Sequence, residues 1–203
     1  MNNSFKYFFI SIVAVSLYFV LFKGEDNKKY VDRILEERKK TEKFFKNSND
    51  SPFKGKKFKG LNYFPPDISF KTNAIIEKLE KADTVLLKTF DNKEVIYLKF
   101  AIAKMKLKGE KIALILFKEI NNQNKNNVFL LFNDKTNGNQ TYAGGRYIDL
   151  SFKNSKRIEV DFNKAYNPYC EYDIKYTCPI PPKENKIPIK ILAGEKKYFN
   201  WIK

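Results

Sequence analysis

The chain has 203 residues, enough for one domain with a substantial core and a short additional segment. Its formal net charge is +16, but only four of its 39 basic residues are arginines and no nucleic-acid-binding motif accompanies them, so we disfavour nucleic acid as a partner. The absence of histidine excludes Ser-His-Asp and Cys-His catalysis and histidine-ligated zinc.

The N-terminal segment contains an uncharged apolar run from Tyr7 to Phe22, between Lys6 and Lys23. As a helix it would extend about 24 Å, and snorkelling of the flanking lysines could bring this close to the roughly 30 Å of a hydrocarbon core. We favour an uncleaved single-pass anchor over a cleaved signal peptide, because no small-x-small cleavage site follows. The sequence therefore predicts an anchor or signal segment over residues 1–27, in contact with the membrane through residues 7–22.

The sequence gives two opposing indications of the side of the membrane on which the domain lies. The basic residues that follow the apolar run favour a cytoplasmic domain by the positive-inside rule, although long domains can be translocated regardless of that count. The cysteines described below favour an oxidising compartment. We adopt a membrane-anchored protein with an extracytoplasmic domain as the prediction.

The segment from Lys28 to Asn47 contains no Gly or Pro, and its apolar residues recur near helical spacing. It predicts an amphipathic helix over 28–47. From about residue 68 onward the apolar period becomes two, in short runs that include "KIALILFKE", "NVFLLFND", "RYIDLSF", "RIEVDF" and "KIPIKIL". Strands at hairpin spacing without intervening helices predict one mostly β (α+β) domain over 28–203, an antiparallel barrel or sandwich capped by the helix.

The stretch Thr136 to Ser151, "TNGNQTYAGGRYIDLS", is named the Gly-Gly-Arg hairpin. Its Asn137-Gly138 pair predicts a tight turn in which both residues have positive φ. The Gly pair before Arg146 permits close approach of another backbone or a ligand. Arg146 itself has two interpretations: a charge-assisted fork for a carboxylate or phosphate, or, favoured here, a structural ion pair with Asp149, Asp161 or Glu195.

Residues 161–182, "DFNKAYNPYCEYDIKYTCPIPP", are named the Cys segment. Their prolines disfavour helix and central strand, so we predict a long ordered loop. Cys170 and Cys178 are the chain's two cysteines and are a disulfide candidate. Inert thiols or a reactive pair are the alternatives, and a metal site is disfavoured because two thiolates without histidine leave too few ligands.

These stretches resemble the domain of unknown function 1684 family. The resemblance rests on "SPFKGKKFKGLNYFPPD" (Ser51 to Asp67), on the Gly-Gly-Arg hairpin with the residues just before it, and on "DFNKAYNPYCEYDIKYTCPIPPKENKIPIKILAGEKKY" (Asp161 to Tyr198). Ala143 departs from the pattern, where a third glycine is expected. The resemblance implies no activity, cofactor or partner. It does imply that the following residues belong to family motifs: Thr141, Tyr142, Gly144, Gly145, Arg146, Asp161, Asn163, Tyr166 and Asn167.

The leading functional hypothesis is a membrane-tethered module that binds a small polar or anionic ligand between the Gly-Gly-Arg hairpin and the Cys segment. The candidate ligand-binding residues are Asn137, Thr141, Tyr142, Arg146, Asn163 and Asn167. An alternative is a histidine-independent enzyme with Asp161 or Glu195 as general base and Arg146 polarising the substrate. A third is a structural or interaction protein of the cell envelope. No cofactor is indicated.

Overall fold

The structure, a computed structural model, describes residues 26–120 and 126–198, and at 80–82 the backbone alone. The apolar run at residues 7–22 lies outside these ranges. Within them, no helix combines the length and the apolar character needed to cross a membrane. The described residues therefore do not support the predicted single-pass membrane anchor.

Helix α1 spans Asn27–Asn47. The side chain of Asp26 caps its first turn by accepting a hydrogen bond from the backbone N–H of Lys28 at 3.0 Å. The helix is amphipathic: Tyr30, Ile34 and Phe45 are buried, and most of the charged residues are exposed. The hydroxyl of Tyr30 donates to the carboxylate of Asp161, and Phe45 packs in an aromatic cluster with Phe53. These contacts fix the helix against the body of the domain.

Six strands form one antiparallel sheet in the order β5-β4-β3-β2-β1-β6. Their bounds are Lys71–Lys88 (β1), Glu94–Leu107 (β2), Glu110–Glu119 (β3), Asn127–Phe132 (β4), Arg146–Ser151 (β5) and Arg157–Asp161 (β6). The two edge strands, β5 and β6, contact each other, so the sheet curls into a nearly closed barrel. The prediction of a mostly antiparallel β domain with one N-terminal helix is confirmed.

Two strand predictions differ from the structure. The alternating runs before and after residue 80 form one long strand, β1, with a register irregularity between Lys78 and Asp83 where it pairs with β2. The segment "KIPIKIL" is not a ladder strand, because Pro188 has no N–H to donate. Its alternation is nevertheless real, since Ile187 and Ile191 are fully buried in the barrel core.

The sheet buries apolar side chains on both faces. The inner face forms the barrel core, where Ala103, Leu114, Leu130 and Ile148 are almost completely buried. The outer face carries a second apolar cluster that includes the two cysteines of the Cys segment. The Cys segment is held against β5 by two backbone hydrogen bonds between Tyr147 and Tyr166, of 2.9 and 3.0 Å. A loop without regular structure thereby covers one side of the sheet.

Candidate functional site

A cavity of about 1020 Å³ lies between helix α1, strands β2 to β5 and the Cys segment. We name it the tyrosine cavity. Its walls include the side chains of six tyrosines, at positions 63, 97, 147, 166, 169 and 176. Several of its rings pack edge to face, with centroids 5.0 Å apart for Tyr97 and Phe129 and 5.1 Å for Tyr169 and Tyr176. The hydroxyls add polar atoms to these aromatic parts of the wall.

Acidic side chains stand on the sheet side of the tyrosine cavity. Asp149 is partly solvent-exposed, and one of its carboxylate oxygens accepts a hydrogen bond of 2.9 Å from the hydroxyl of Tyr166. The surrounding wall removes water from Asp149 and raises its pKa. Glu119, at the end of β3, lies near Tyr97, and burial of this tyrosine together with that charge raises the pKa of Tyr97 to about 12.

Basic side chains stand on the helix side of the same cavity. The guanidinium of Arg38 lies over the ring of Tyr63, 4.4 Å from its centroid, and donates to the carbonyl of Phe64 at 2.8 Å. The ammonium of Lys164 pairs with Glu37 at 3.0 Å. Among the described residues, the Nε of Arg38 is a buried donor without a hydrogen-bond partner. Arg38 is therefore a half-buried basic group at the cavity wall whose Nε is unsatisfied within the fold.

Glu195 borders the tyrosine cavity from the interior and is 2% exposed. Its carboxylate accepts hydrogen bonds from the hydroxyl of Tyr172 and from the backbone N–H of Asn167, the latter at 3.1 Å. Burial raises the pKa of Glu195 to about 7, although these hydrogen bonds lower it. Glu195 is thus a carboxylic acid that titrates near neutral pH.

Arg146 does not line the tyrosine cavity; it is fully buried. Its guanidinium donates to Asp134 at 2.9 Å, to the carbonyl of Ile191 at 3.0 Å, and to the carbonyls of Ala193 and Glu195. These groups already occupy its fork, so the geometry does not support the prediction that Arg146 binds a ligand. Its structural interpretation is correct, but the ionic partner is Asp134 rather than one of the three predicted carboxylates.

The turn of the Gly-Gly-Arg hairpin is held by its own side chains. Asn137 donates to the carbonyl of Tyr142 at 2.7 Å and accepts from the N–H of Asp134 at 2.5 Å. Thr141 is completely buried and shares a hydrogen bond of 2.8 Å with Thr136. Only Gly138 of the predicted two-residue turn has positive φ, so the turn is a longer loop stapled by Asn137.

A small hollow does separate the Gly-Gly-Arg hairpin from the Cys segment, as the sequence predicted. Its volume is about 330 Å³, and its walls include Thr141, Tyr142 and Glu171. Arg146, Asn163 and Asn167 are not among its lining residues. The two motifs therefore fold against each other, but the predicted ligand-binding set is divided among different places.

The remaining candidate residues connect chain segments. The side chain of Asn163 is hydrogen-bonded at 2.8 Å to both the N–H and the carbonyl of Asp67, and its residue also borders the tyrosine cavity. Asp161 caps the turn that contains Asn163 and accepts from Tyr30, so its carboxylate is engaged in the fold. Asn167 donates to the carbonyl of Lys196 at 2.8 Å.

Cys170 and Cys178 are free, buried thiols that lie side by side. The backbone N–H of Cys170 donates to the sulfur of Cys178 at 3.4 Å, and the hydroxyl of Tyr142 lies 3.6 Å from the sulfur of Cys170. Cys178 also borders the tyrosine cavity. In residues 26–120 and 126–198, no group of three or more Cys, Asp and Glu side chains is arranged to hold a metal ion.

The sequence interpretation missed Arg38, Tyr97 and Asp134. The proximity of Arg38 to residues 63, 64 and 163 depends on tertiary packing, which the helical pattern does not encode. Asp134 carried a local signal: an Asp two residues before a Thr is typical of an Asx turn, and its side chain does accept from Thr136 at 2.8 Å.

Gly145 is the glycine of the hairpin with the strongest conformational requirement. Its φ is +89°, and a Cβ would lie 2.5 Å from Cγ of Pro181 and 2.8 Å from Oδ1 of Asn133. Gly55 also has positive φ, of +72°, but open space around it. We expect Gly145→Ala to cost roughly 1–3 kcal/mol more than Gly55→Ala, because only the former adds a steric clash to the backbone strain. Urea unfolding of both variants measures the difference, and equal costs would refute the clash.

The sequence profile of the family described as "Protein of unknown function (DUF1684)" matches residues 56–196. The chain belongs to this family. This match confirms the resemblance to the family that was inferred from the sequence motifs. The chain is similar to an uncharacterised protein from Haloarcula marismortui whose solution NMR structure is known, with 32% sequence identity and a TM-score of 0.65. The similarity covers 84% of this chain and 96% of the other. No curated protein matches the chain. The family and its solved relative assign no activity, so function has to be argued from the cavity.

Proposed function

We propose that this DUF1684 domain binds a small polar ligand with a flat apolar portion in the tyrosine cavity. The observation that carries the proposal is the cavity itself, whose volume of about 1020 Å³ is at the upper end of the range for small-molecule sites. Its walls combine aromatic rings with a few polar groups, which is the composition typical of such sites.

The tyrosine rings support a flat apolar portion in the ligand. Tyr147 and Tyr166 pack edge to face with centroids 6.0 Å apart, and the pair Tyr169 and Tyr176 does so on the Cys segment. Rings held in this way lose little further entropy when a planar group inserts between them. Stacked and edge-on aromatic contacts each contribute about 0.5–1.5 kcal/mol beyond simple burial.

The charged walls support polar groups on the ligand. Arg38 is a cationic side chain on the helix side of the cavity. On the sheet side, Asp149 is a carboxylate with one oxygen hydrogen-bonded to Tyr166. The prediction of an anionic ligand depended on Arg146, but its guanidinium is buried and paired with Asp134. Arg38 takes its place as the group that would recognise an anion, and Asp149 is the group that would recognise a cation.

Thermal shift measurements on the full chain test the proposal with three probe classes: an aromatic carboxylic acid, an aromatic amine and a neutral nucleoside. A probe at a hundredfold excess over its dissociation constant should stabilise the domain by about 2.7 kcal/mol and raise Tm by roughly 5–10 °C. Screening then extends to other polar metabolites with planar rings. If no planar polar compound stabilises the protein, the proposal is wrong.

Two serine variants locate the binding site. Ser151 borders the tyrosine cavity, whereas Ser155 is exposed in the turn between β5 and β6. We expect Ser151→Trp to abolish the shift caused by a hit and Ser155→Trp to preserve it. Arg38→Met and Asp149→Asn then determine the charge that is recognised, since an anionic hit should be weakened by the first and a cationic hit by the second. A hit unaffected by Ser151→Trp binds elsewhere.

A histidine-independent enzyme is the second candidate, because Glu195 borders the cavity and its pKa of about 7 suits a general acid or base. We rank an enzyme below a binding module, because the Glu195 carboxylate already accepts hydrogen bonds from Tyr172 and Asn167. Glu195→Gln distinguishes the two functions: an enzyme should lose turnover of a bound compound while binding it, whereas a binding module has no turnover to lose. Asp161 is a weaker base candidate, because it is not among the residues that line the cavity.

A further inference from the structure

The two cysteines are placed next to each other by the local fold of the Cys segment. Pro168 leads into a short 3-10 turn over Tyr169–Glu171, and the chain then reverses through backbone hydrogen bonds from Asp173 to Tyr169 and from Tyr176 to Asp173. The reversal returns Cys178 to Cys170, and each thiol is 9% exposed. The backbone N–H of Cys170 donates to the sulfur of Cys178.

The thiol pair is reachable, because Cys178 borders the open tyrosine cavity. On its other side, the hydroxyl of Tyr142 from the Gly-Gly-Arg hairpin contacts Cys170. The pair thus lies where the hairpin, the Cys segment and the cavity meet. A covalent change there would alter a cavity wall directly.

The two thiols are electrostatically different. The hydrogen bond from Cys170, with further hydrogen bonds from backbone groups, lowers the pKa of Cys178 to about 7, against burial that raises it. The same contact and burial raise the pKa of Cys170. Since the thiolate is the nucleophile in thiol chemistry, Cys178 is the attacking group and Cys170 the resolving one.

We propose that Cys170 and Cys178 form a reversible dithiol–disulfide couple, oxidised by low-molecular-weight disulfides, that changes the wall of the tyrosine cavity. The Cys178 thiolate attacks one sulfur of the disulfide RSSR, forming a mixed disulfide and releasing RS⁻. Cys170 then loses its proton and attacks the Cys178 sulfur, expelling the second RS⁻. One protein disulfide forms and RSSR is reduced to two RSH, so electrons and protons balance.

Intact-mass spectrometry of the full chain in buffers of defined ratio of reduced to oxidised glutathione tests the couple. We expect native wild type to lose two hydrogen atoms as oxidised glutathione increases, to recover them with dithiothreitol, and to gain roughly 5 °C in Tm when oxidised. Peptide mapping should locate the bond between Cys170 and Cys178. No intramolecular bond in the native state, or disulfide-linked dimers instead, would overturn the proposal.

Single serine variants test the assigned roles. Cys170→Ser should accumulate a stable mixed disulfide with glutathione at Cys178, because the resolving thiol is gone. Cys178→Ser should react at least tenfold more slowly, and unfolding both variants in urea should abolish the difference. Equal native rates would overturn the assignment of nucleophile. Should either variant fail to fold, the rate of wild-type oxidation between pH 6 and 8 remains informative, since it should rise with a midpoint near 7.

Discussion

Replacing Asp134 by alanine should lower the free energy of unfolding by about 3–5 kcal/mol, because it leaves the guanidinium of Arg146 buried without its counter-ion. Both side chains of the pair are completely buried, 2.9 Å apart. The Nε of Arg146 is already without a hydrogen-bond partner among the described residues, so the guanidinium is incompletely satisfied even before Asp134 is removed. The same Asp134 carboxylate also accepts from the N–H of Ile191 at 3.2 Å, which ties the hairpin to the C-terminal segment.

A matched surface pair provides the control for this experiment. Glu77 forms an ion pair with Lys104, but both side chains are more than half exposed. We expect Glu77→Ala to cost at most about 1 kcal/mol in urea unfolding of the full chain, because water screens that pair. Asp134→Asn keeps an acceptor for the turn and removes only the charge, so it should remain foldable and fall between the two. A cost below 1 kcal/mol for Asp134→Ala would show that Arg146 does not depend on it.

The charge requirement can be separated from the loss of side-chain volume by a double-mutant cycle. Arg146→Met removes the cation and keeps a long apolar side chain over the ring of Phe132, whose centroid lies 5.2 Å from the guanidinium carbon. The double variant with Asp134→Ala should be less unstable than the sum of the single changes, since neither charge is then left unpaired. Strict additivity would mean that the two residues act independently.

The fold was largely predictable from local patterns. Period-two alternation predicted strands β3 to β6 from the runs quoted in the sequence analysis. Between β2 and β3 the chain turns at Lys108 and Gly109, both of which have positive φ. Prolines 179, 181 and 182 correctly excluded a central strand from the Cys segment. The same reasoning misassigned "KIPIKIL", where a buried alternating pattern persists although Pro188 prevents a regular ladder.

The candidate site was only partly predictable, for a physical reason. Arg146 and Asn137 stood out because polar residues in a glycine-rich turn have little value for helix or strand, but such residues are also what a buried connection between loops requires. The tyrosine cavity instead joins Arg38 of the helix, Tyr97 of β2 and Tyr166 of the Cys segment. These residues are far apart along the chain, so no local spacing encodes their proximity.

Glu195 should lower the free energy of unfolding by roughly 2 kcal/mol between pH 5 and pH 7.5. Its pKa is about 7 in the folded protein against a usual value of 4.5, and each pKa unit corresponds to about 1.36 kcal/mol. Between these two values the folded state holds a proton that the unfolded state has lost. Stability therefore is greatest below the unfolded pKa and decreases as pH rises through the folded one. The absence of histidine leaves this window free of imidazole titration.

Glu195→Gln should remove most of this slope, because glutamine keeps the shape and the acceptor oxygen but does not ionise. The exposed Glu184→Gln is the matched control and should leave the slope as it is in wild type. Asp149 adds a slope of the same sign, since its pKa is also raised, and Asp149→Asn measures that share. Cys178 raises stability with increasing pH above about pH 7, because its depressed pKa makes the folded state lose this proton before the unfolded state does. The measurement therefore ends at pH 7.5. A slope that survives Glu195→Gln would mean that this carboxyl remains ionised inside the fold, in which case Arg38 and Tyr172 stabilise its charge more than burial opposes it.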